Sequence, residues 1–397
     1  MKIGYAQEDI TPLLDRPVFL AGFGNNRRAE TVRDPLSVRA LSLHTEDTIL
    51  VLCALDLIGF FRPDVQDVIR RIHTSEVLKT LDISPQIIIA SIHTHHGPDT
   101  MGLWGPDDRT SGVDANYMSR LKSKVEETII SSLMDPKPAS VKSTCINVPG
   151  LAKNARNPEI VDNELTTLQF MTTDQRPLVT MMDFPCHPEV LWERNPHITP
   201  DYPGYLRDEV ERVTEAPCIF FAGALGGMMT PDVTDHSFEE AEFMGKKLAE
   251  EGLKALEKVE SVQHPKVTIQ KAEVKIKLTN ILYKIAFIRK LLPDVRVKGM
   301  VITEVNLIKI GEAWLATMPG ELLPKLGLRL KASLVEAGAK VPGVIGLAND
   351  ELGYILPAED FKYPLNPLNP GAHYEETNSI GKSIGPKVME AILSYLE

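Results

Sequence analysis

Short apolar runs alternate with amphipathic stretches along most of the chain. Five apolar runs have the length of a buried β-strand, at residues 48–55, 86–92, 177–184, 217–222 and 344–347. The segment 301–319 alternates around a Gly-Glu turn, which predicts a β-hairpin. Apolar residues recur with helical spacing at 62–73, 116–134, 203–214, 238–258, 321–337 and 378–396. This alternation predicts an α/β fold in which helices flank a mixed, largely buried β-sheet.

The segment from about 278 to 297 departs from this pattern. It combines large apolar residues with cations in the run ILYKIAFIRKLL. Two interpretations are open: a core helix whose lysines reach solvent, or a lid or insertion that contacts an apolar substrate or a lipid surface. The sequence contains no internal repeat, low-complexity tract or flexible linker, so we expect a single domain over residues 1–397.

Composition places the chain among ordinary globular proteins. Apolar residues make up 43% and charged residues 24%, which excludes disordered, collagen-like and coiled-coil classes. The formal net charge is -11. Because an acidic surface repels phosphate backbones, nucleic acid is a poor candidate partner.

The sequence favours a cytoplasmic protein. Its first residues do not match a secretory signal, and no stretch of 18 apolar residues predicts a transmembrane helix. The four cysteines lack paired spacing and are expected to be buried thiols. Transient contact with a membrane stays open, and the oligomeric state is not indicated.

The most informative motif is HTHHGP, which directly follows the apolar run 86–92. Alternation along an extended chain places His93 and His95 on one face, and the Gly-Pro pair ends the strand. In α/β folds ligands bind at the carboxyl ends of strands, and neutral imidazole is a common zinc ligand. The motif therefore indicates either a metal site or a pair of structural or catalytic histidines.

Three further polar side chains follow predicted strands, namely His187, Glu321 and Tyr354. Each has an ordinary explanation on its own, such as a hydrogen-bonded core histidine or a glutamate at a helix N-terminus. Together they favour a common site, since fold stability alone does not require such residues at four strand ends. A glycine-rich bend also precedes Thr230, whose hydroxyl is a candidate nucleophile or substrate-positioning group.

In their order along the chain, the motifs resemble those of the neutral (alkaline, non-lysosomal) ceramidases, in their N-terminal catalytic domain. The similar segments span nearly the whole sequence: ITP, GFG…RDPLSVRAL, VLCALDLIG, HTHHGP, NARNP…VD, CHP, DYPGY, GALGG…TP, FEEAE, PGE and GLAND…GY…P. Each segment is short, but their number and order make the resemblance specific. It implies a neutral-ceramidase-like catalytic domain.

The resemblance also implies roles for individual residues. One zinc ion per chain would be bound by His93, His187, Glu321 and Tyr354. His95, the second histidine of the HTH motif, would assist the reaction. The arginine that helps to hold the reacting group corresponds to Arg156, near Asn154, and the family's serine corresponds to Thr230.

Several positions depart from the family's pattern. Thr230 replaces the serine, Met228 replaces an acidic residue, and His96 replaces a small serine after the HTH motif. A secretion signal and the C-terminal immunoglobulin-like domain are also missing from the sequence. We therefore expect a short cytoplasmic relative that shares the zinc chemistry but does not necessarily act on the same lipid.

The expected activity is hydrolysis of an amide, N-acyl and ceramide-like, or of an ester, by metal-activated water. In this hypothesis His95 moves a proton, while Arg156 and Tyr354 stabilise the oxyanion. Thr230 would orient a small-molecule or lipid-like acyl substrate.

Other functions are less consistent with the motifs or stay open. A metallo-β-lactamase-type site needs HxHxDH, and Gly97 stands in place of its aspartate. An amidohydrolase barrel usually carries HxH on its first strand, whereas here the motif follows a later predicted strand. A lactonase or esterase acting on a small polar substrate stays open, as does a zinc- or lipid-binding module without catalysis, which Thr230 and Met228 favour. Manganese, iron or cobalt would also suit the proposed ligands.

Overall fold

The computed structural model describes residues 1–288, 296–362 and 374–396, and within them the chain alternates strands and helices. The helices are α1 (Arg62–Thr74), α2 (Ala115–Leu133), α3 (Tyr202–Thr214), α4 (Phe238–Leu256), α5 (Ile281–Ile288), α6 (Pro324–Glu336), α7 (Tyr374–Thr377) and α8 (Ile384–Leu393). The strands of the first half are β1 (Lys2–Asp9), β2 (Thr31–Val32), β3 (Ser37–His44), β4 (Ile49–Leu55), β5 (Gln86–Ser91), β6 (Lys137–Pro138), β7 (Ser140–Asn147), β8 (Ala152–Asn154), β9 (Glu164–Met171) and β10 (Pro177–Phe184). Those of the second half are β11 (His197–Ile198), β12 (Cys218–Ala222), β13 (Met229–Pro231), β14 (Val267–Lys277), β15 (Arg296–Val297), β16 (Met300–Ile310), β17 (Ala313–Thr317), β18 (Glu321–Leu322), β19 (Val341–Ile345) and β20 (Tyr354–Ile355).

The longer strands form three sheets, each with one parallel pair. The first sheet has the order β5-β4-β3-β1-β6, the second β12-β10-β9-β7, and the third β19-β17-β16-β14 with β15 beside β16. The parallel pairs are β4 with β5, β10 with β12, and β17 with β19, and all other pairs in these sheets are antiparallel. Each sheet therefore repeats one topology, although the sequence shows no repeat.

A single α-helix joins the strands of each parallel pair: α1 in the first sheet, α3 in the second and α6 in the third. This β-α-β connection is the usual way to make two neighbouring strands parallel. It also places the carboxyl ends of both strands at one edge, which is where α/β folds bind ligands. The candidate site residues follow these strand ends, and the three edges meet around them.

The local sequence explains where several helices begin. The side chain of Asp114 accepts hydrogen bonds from two backbone N–H groups of the first turn of α2. Ser237 caps α4 in the same way, and Pro324 occupies the first turn of α6, where a backbone N–H is not needed. The apolar faces of α1 and α2 pack with the first sheet in one hydrophobic cluster, and α6 and α8 pack with the third sheet in another.

The predicted α/β class and most predicted elements are confirmed. Helices α1 to α4 and strands β4, β5, β10 and β12 lie within two residues of their predicted bounds, and β16 and β17 form the predicted hairpin. Three elements had wrong bounds. The helix predicted from 321 begins at Pro324, because Glu321 starts the short strand β18. The last helix, predicted from 378, begins at Ile384, and the strand predicted at 344–347 is Val341–Ile345, since Leu347 adopts a positive φ of 49°.

Helix α5 lies within the segment that was predicted either as a core helix or as a lid. Several of its large apolar side chains are exposed, among them Ile281 at 61% and Ile288 at 74%, whereas Tyr283 packs against the hydrophobic cluster of the third sheet. A helix buried on its apolar face is therefore not what α5 forms, because its apolar run covers more of the helix surface than one buried stripe. Residues 289–295 of the segment lie outside the described residues.

Two further observations bear on the sequence expectations. The four cysteines are free, and Cys53, Cys186 and Cys218 are buried as predicted; Cys145 was also expected to be buried but is only half-buried. Among the described residues, no helix is both long and apolar enough to cross a membrane.

Candidate metal centre and its cavity

His93 lies just beyond the end of β5 in an unusual backbone conformation. Its φ is 70°, in the left-handed region that residues with a Cβ rarely adopt. The backbone N–H of His93 donates to the Leu57 carbonyl oxygen, and its Nδ1 lies 2.5 Å from the carbonyl oxygen of Ile58. Because a carbonyl oxygen only accepts, Nδ1 carries the hydrogen and the Nε2 lone pair stays available.

His187 has the same arrangement at the end of β10, in the second sheet. It is fully buried, and its Nδ1 lies 2.9 Å from the carbonyl oxygen of Met229. Its Nε2 therefore also presents a lone pair when the ring is neutral. Backbone carbonyls that bind Nδ1 in this way fix the ring orientation of metal-binding histidines.

Glu321 and Tyr354 complete the group from a separate two-stranded sheet, β18 with β20, that follows the third sheet along the chain. The two residues are register partners in this parallel pair. Glu321 follows Gly320, which has a φ of 155° and where a Cβ would lie 2.5 Å from the Gly353 carbonyl oxygen. Glycine is therefore required for the two short strands to approach each other.

The Glu321 carboxylate faces both imidazoles. Its Oε2 lies 3.1 Å from Nε2 of His187 and 3.7 Å from Nε2 of His93. With both Nδ1 atoms protonated, these three atoms are all acceptors, and three facing acceptors need a shared cation. The residues therefore fit a metal ion, for which imidazole nitrogen and carboxylate oxygen are ordinary ligands.

Burial and charge shift the pKa values of the two histidines in opposite directions. Burial, with the neighbouring imidazoles, lowers the pKa of His93 to about 3. Burial also acts to lower the pKa of His187, but the hydrogen bond to Glu321 and the carboxylate charges outweigh it and raise that pKa. The two histidines therefore differ in how readily they take up a proton.

His95 joins the same cluster from the other side. The ligand atoms of His93, His95 and His187 all lie within 4.8 Å of one another. The Nδ1 of His95 lies 3.0 Å from Oε2 of Glu189, a fully buried carboxylate. Although burial alone would raise its pKa, the nearby imidazoles of His95 and His187 and the neighbouring Thr230 hydroxyl lower the pKa of Glu189 to about 2.

Glu189 is the site residue that the sequence did not reveal. It follows the motif Cys-His-Pro, but no spacing rule shows that its side chain turns toward the histidine of another loop. The structure explains why Glu189 lies next to His95: the backbone N–H of His95 donates to the carbonyl oxygen of Pro188 and so joins the two loops.

A cavity of about 810 Å³ opens above the cluster. His95, Glu189 and Tyr354 reach its wall, whereas His93, His187 and Glu321 lie beneath it. The rings of Phe23 and Trp192 form an aromatic wall near His95, with Phe23 4.9 Å from the imidazole in an edge-to-face contact. Charged side chains also line the cavity, among them Arg156, Lys325, Glu359, Asp360 and Glu375.

Arg156 reaches this cavity but is engaged in ion pairs. Its Nη1 lies 2.5 Å from Oε2 of Glu375, and its Nη2 lies 2.9 Å from Oε1 of Glu376, both on α7. The neighbouring residue on α7, Tyr374, packs edge-to-face against Tyr354 with ring centroids 5.7 Å apart. The guanidinium therefore ties α7 to the cavity wall, and its contact with a reacting group stays a prediction.

Thr230 lies further from the cavity than the sequence hypothesis assumed. It is buried in β13, where it pairs with Lys153, and it lines a separate cavity of about 220 Å³ behind Glu189. Met228 lies at the larger cavity, with its Sδ 3.3 Å from the Tyr354 hydroxyl. A direct role of Thr230 in orienting substrate stays a prediction.

Two solved structures share the arrangement of the whole chain. One is described as neutral ceramidase from Pseudomonas aeruginosa: the match covers 100% of this chain and 74% of that chain, with a TM-score of 0.79 and 16% sequence identity. The chain has the fold of a neutral ceramidase. The second structure, described as ceramidase complexed with C2, gives the same coverage and TM-score at 14% identity.

The likeness is visible in three dimensions but not in a search by sequence. No family model matches the chain, and no curated protein matches it. The neutral-ceramidase-like fold expected from the short motifs is thereby confirmed. The metal, the reaction and the role of each residue belong to the proposal below.

Proposed function

We propose that the protein is a zinc-dependent hydrolase that cleaves a linear amide bond of an N-acyl, lipid-like substrate. The observation that carries this proposal is the meeting of His93, His187 and Glu321 from three different sheets beneath a cavity. Their facing lone pairs need a cation, and their chemistry suits zinc. A neutral ceramidase fold is the expected scaffold for such a site.

In this proposal His93, His187, Glu321 and Tyr354 hold the metal. When bound there, zinc supplies a Lewis acid that polarises a carbonyl and lowers the pKa of water. The remaining chemistry falls to side chains at the cavity wall. Without a metal, burial and the charge of Glu321 raise the pKa of Tyr354 well above its usual value.

His95 is the proposed proton carrier. Burial lowers its pKa, so the imidazole is neutral at pH 7 and its Nε2 can accept a proton from an attacking water. The water oxygen adds to the amide carbon, the C–N bond breaks, and His95 returns the proton to the leaving amine. Phe23 and Trp192 offer an apolar surface for the acyl part of the substrate.

A second candidate is an esterase or lactonase acting on a small polar substrate. It is favoured by the charged lining of the cavity, where Lys325 pairs with Glu359 and Asp360. Such groups are poorly suited to a long hydrocarbon chain, because an ion pair loses hydration when an alkyl group covers it.

The test combines metal analysis with turnover. We expect about one zinc per chain in the purified protein, lost in both His93→Ala and His187→Ala but retained in the control His96→Ala, because His96 faces Asp201 at 3.4 Å. Hydrolysis of a panel of N-acyl amides, esters and lactones should stop on chelation and return with zinc. Absence of metal after reconstitution would overturn the proposal. Bound zinc with no turnover on the whole panel would favour a binding module.

A further inference from the structure

The side chain of Glu189 is a buried carboxylate that the proposed reaction does not use. It is 0% exposed, and among the described residues no lysine or arginine forms an ion pair with it. A buried carboxylate without a cationic partner is costly, so such groups are retained mainly where they serve a site. Its one ion-pair contact in the described chain is with His95.

The geometry around His95 restricts the ring from several sides. Glu189 approaches Nδ1 at 3.0 Å, Phe23 meets the ring edge-to-face, and an added Cβ at Gly22 would lie 2.3 Å from Cγ of His95. The ring therefore has little room to rotate. Among the described residues neither ring nitrogen has an aligned hydrogen bond, and the ring centroid lies 5.1 Å from that of His93 and 5.4 Å from that of His187.

We propose that Glu189 is a positioning residue, which holds His95 in the tautomer with hydrogen on Nδ1 and directs its Nε2 toward the reacting atoms. Nδ1 and the carboxylate oxygen lie 3.0 Å apart and both lack another hydrogen-bond partner among the described residues; because a carboxylate can only accept, the two atoms satisfy each other only when Nδ1 carries the hydrogen. The proton-accepting lone pair is then confined to Nε2. Thr230 lines the smaller cavity beside Glu189, so its hydroxyl is the neighbouring group that can restrict the carboxylate from that side.

This role rests on the proposed function, since it gives His95 the orientation that proton transfer needs. It also adds Glu189 to the residues that support the reaction and changes the role of Thr230. The carboxylate comes from the loop after β10, beside a proposed metal ligand, and acts through a histidine of the loop after β5. Thr230 then acts on the carboxylate and not on the substrate.

The test is Glu189→Gln, which keeps the shape of the side chain but offers an amide that can donate. The amide N–H can pair with a deprotonated Nδ1, which moves the imidazole hydrogen to Nε2 and removes the proton acceptor. We expect kcat to fall about 100-fold or more, with KM within about twofold and zinc content unchanged. The matched control is Asp201→Asn, because Asp201 faces His96 in the same way but serves no proposed step; its kcat should stay within about threefold.

A second measurement needs no turnover. In metal-free protein labelled with ¹⁵N-histidine, the His95 signals, assigned with His95→Asn, should show hydrogen on Nδ1 in the wild type and on Nε2 in Glu189→Gln. An unchanged tautomer would overturn the proposal, as would an unchanged kcat. Loss of zinc from Glu189→Gln would also overturn it, because His95 would then be a metal ligand. If the wild type hydrolyses nothing, the proposed function fails while the tautomer still tests Glu189.

Discussion

Replacement of Gly22 by alanine tests whether the exact place of the His95 ring matters. Gly22 has a φ of 104°, and an ideal Cβ there would lie 2.3 Å from Cγ and 2.6 Å from Nδ1 of His95. The methyl group and the imidazole cannot both keep their positions. A strained left-handed backbone costs about 1–2 kcal/mol and overpacking costs about 1–3 kcal/mol, so we expect a loss of about 2–5 kcal/mol.

The loss can be converted into a melting temperature. For 397 residues the entropy of unfolding is about 0.8 kcal/mol per kelvin, so Tm should fall by about 2–6 °C. Because the displaced atom is the one that faces Glu189, kcat should also fall about 100-fold while zinc content is kept. The assays are calorimetry, steady-state kinetics and elemental analysis on the same preparation.

The matched control is Gly24→Ala, two residues away, where an added Cβ meets nothing within 4 Å. It should leave Tm and kcat close to those of the wild type. If Gly22→Ala behaves like this control, then the ring of His95 either does not occupy the observed position or does not need it, and the assignment of proton transfer to His95 would be refuted.

Three further predictions concern the pH dependence, the core and the cavity wall. Because His93 has a pKa of about 3 in the folded protein, between about pH 6.5 and pH 3 the unfolded chain binds a proton there that the folded protein does not. As the pH falls through this window, the free energy of unfolding of the metal-free protein should decrease by about 1.4 kcal/mol per pH unit from this group. The urea midpoint of His93→Asn should depend less on pH than that of the wild type, and an equal dependence would contradict this. Lys331→Met should cost about 3–5 kcal/mol, because it leaves the buried Asp162 carboxylate, 2.8 Å away, without its partner, and an unchanged denaturation midpoint would contradict this. Arg156→Ala should raise KM about tenfold with zinc unchanged, because α7 and Tyr374 lose their tether; a fall in kcat alone would instead favour an oxyanion role.

Local pattern was sufficient to predict much of the fold. The first four helices could be predicted because their apolar residues recur with a period of 3.6. The central strands could be predicted because each is an unbroken apolar run. The grouping of strands into three sheets could not be predicted, since pairing depends on contacts distant in sequence. The exposure of α5 could not be decided from the sequence, because a run that is apolar all round does not say which face is covered.

The candidate site could also be predicted only in part. His93, His187, Glu321 and Tyr354 could be proposed because each follows a strand, and the structure brings them together. The contact between Glu189 and His95 could not be predicted, since it joins two loops through side chains alone. The ion pairs that occupy Arg156 were equally hidden, because their glutamates lie on α7, over 200 residues away in sequence.

The three central side chains come from three sheets, and this affects local unfolding of the protein. His93 follows the first sheet, His187 the second and Glu321 the third, so separation of any one sheet from the other two would break the coordination of a bound ion. Local opening would then require release of the ion, and a ligand at 1,000 times its Kd adds about 4.1 kcal/mol to that requirement. Amide hydrogen exchange in all three sheets should therefore slow together on metal binding, including at amides far from the ion.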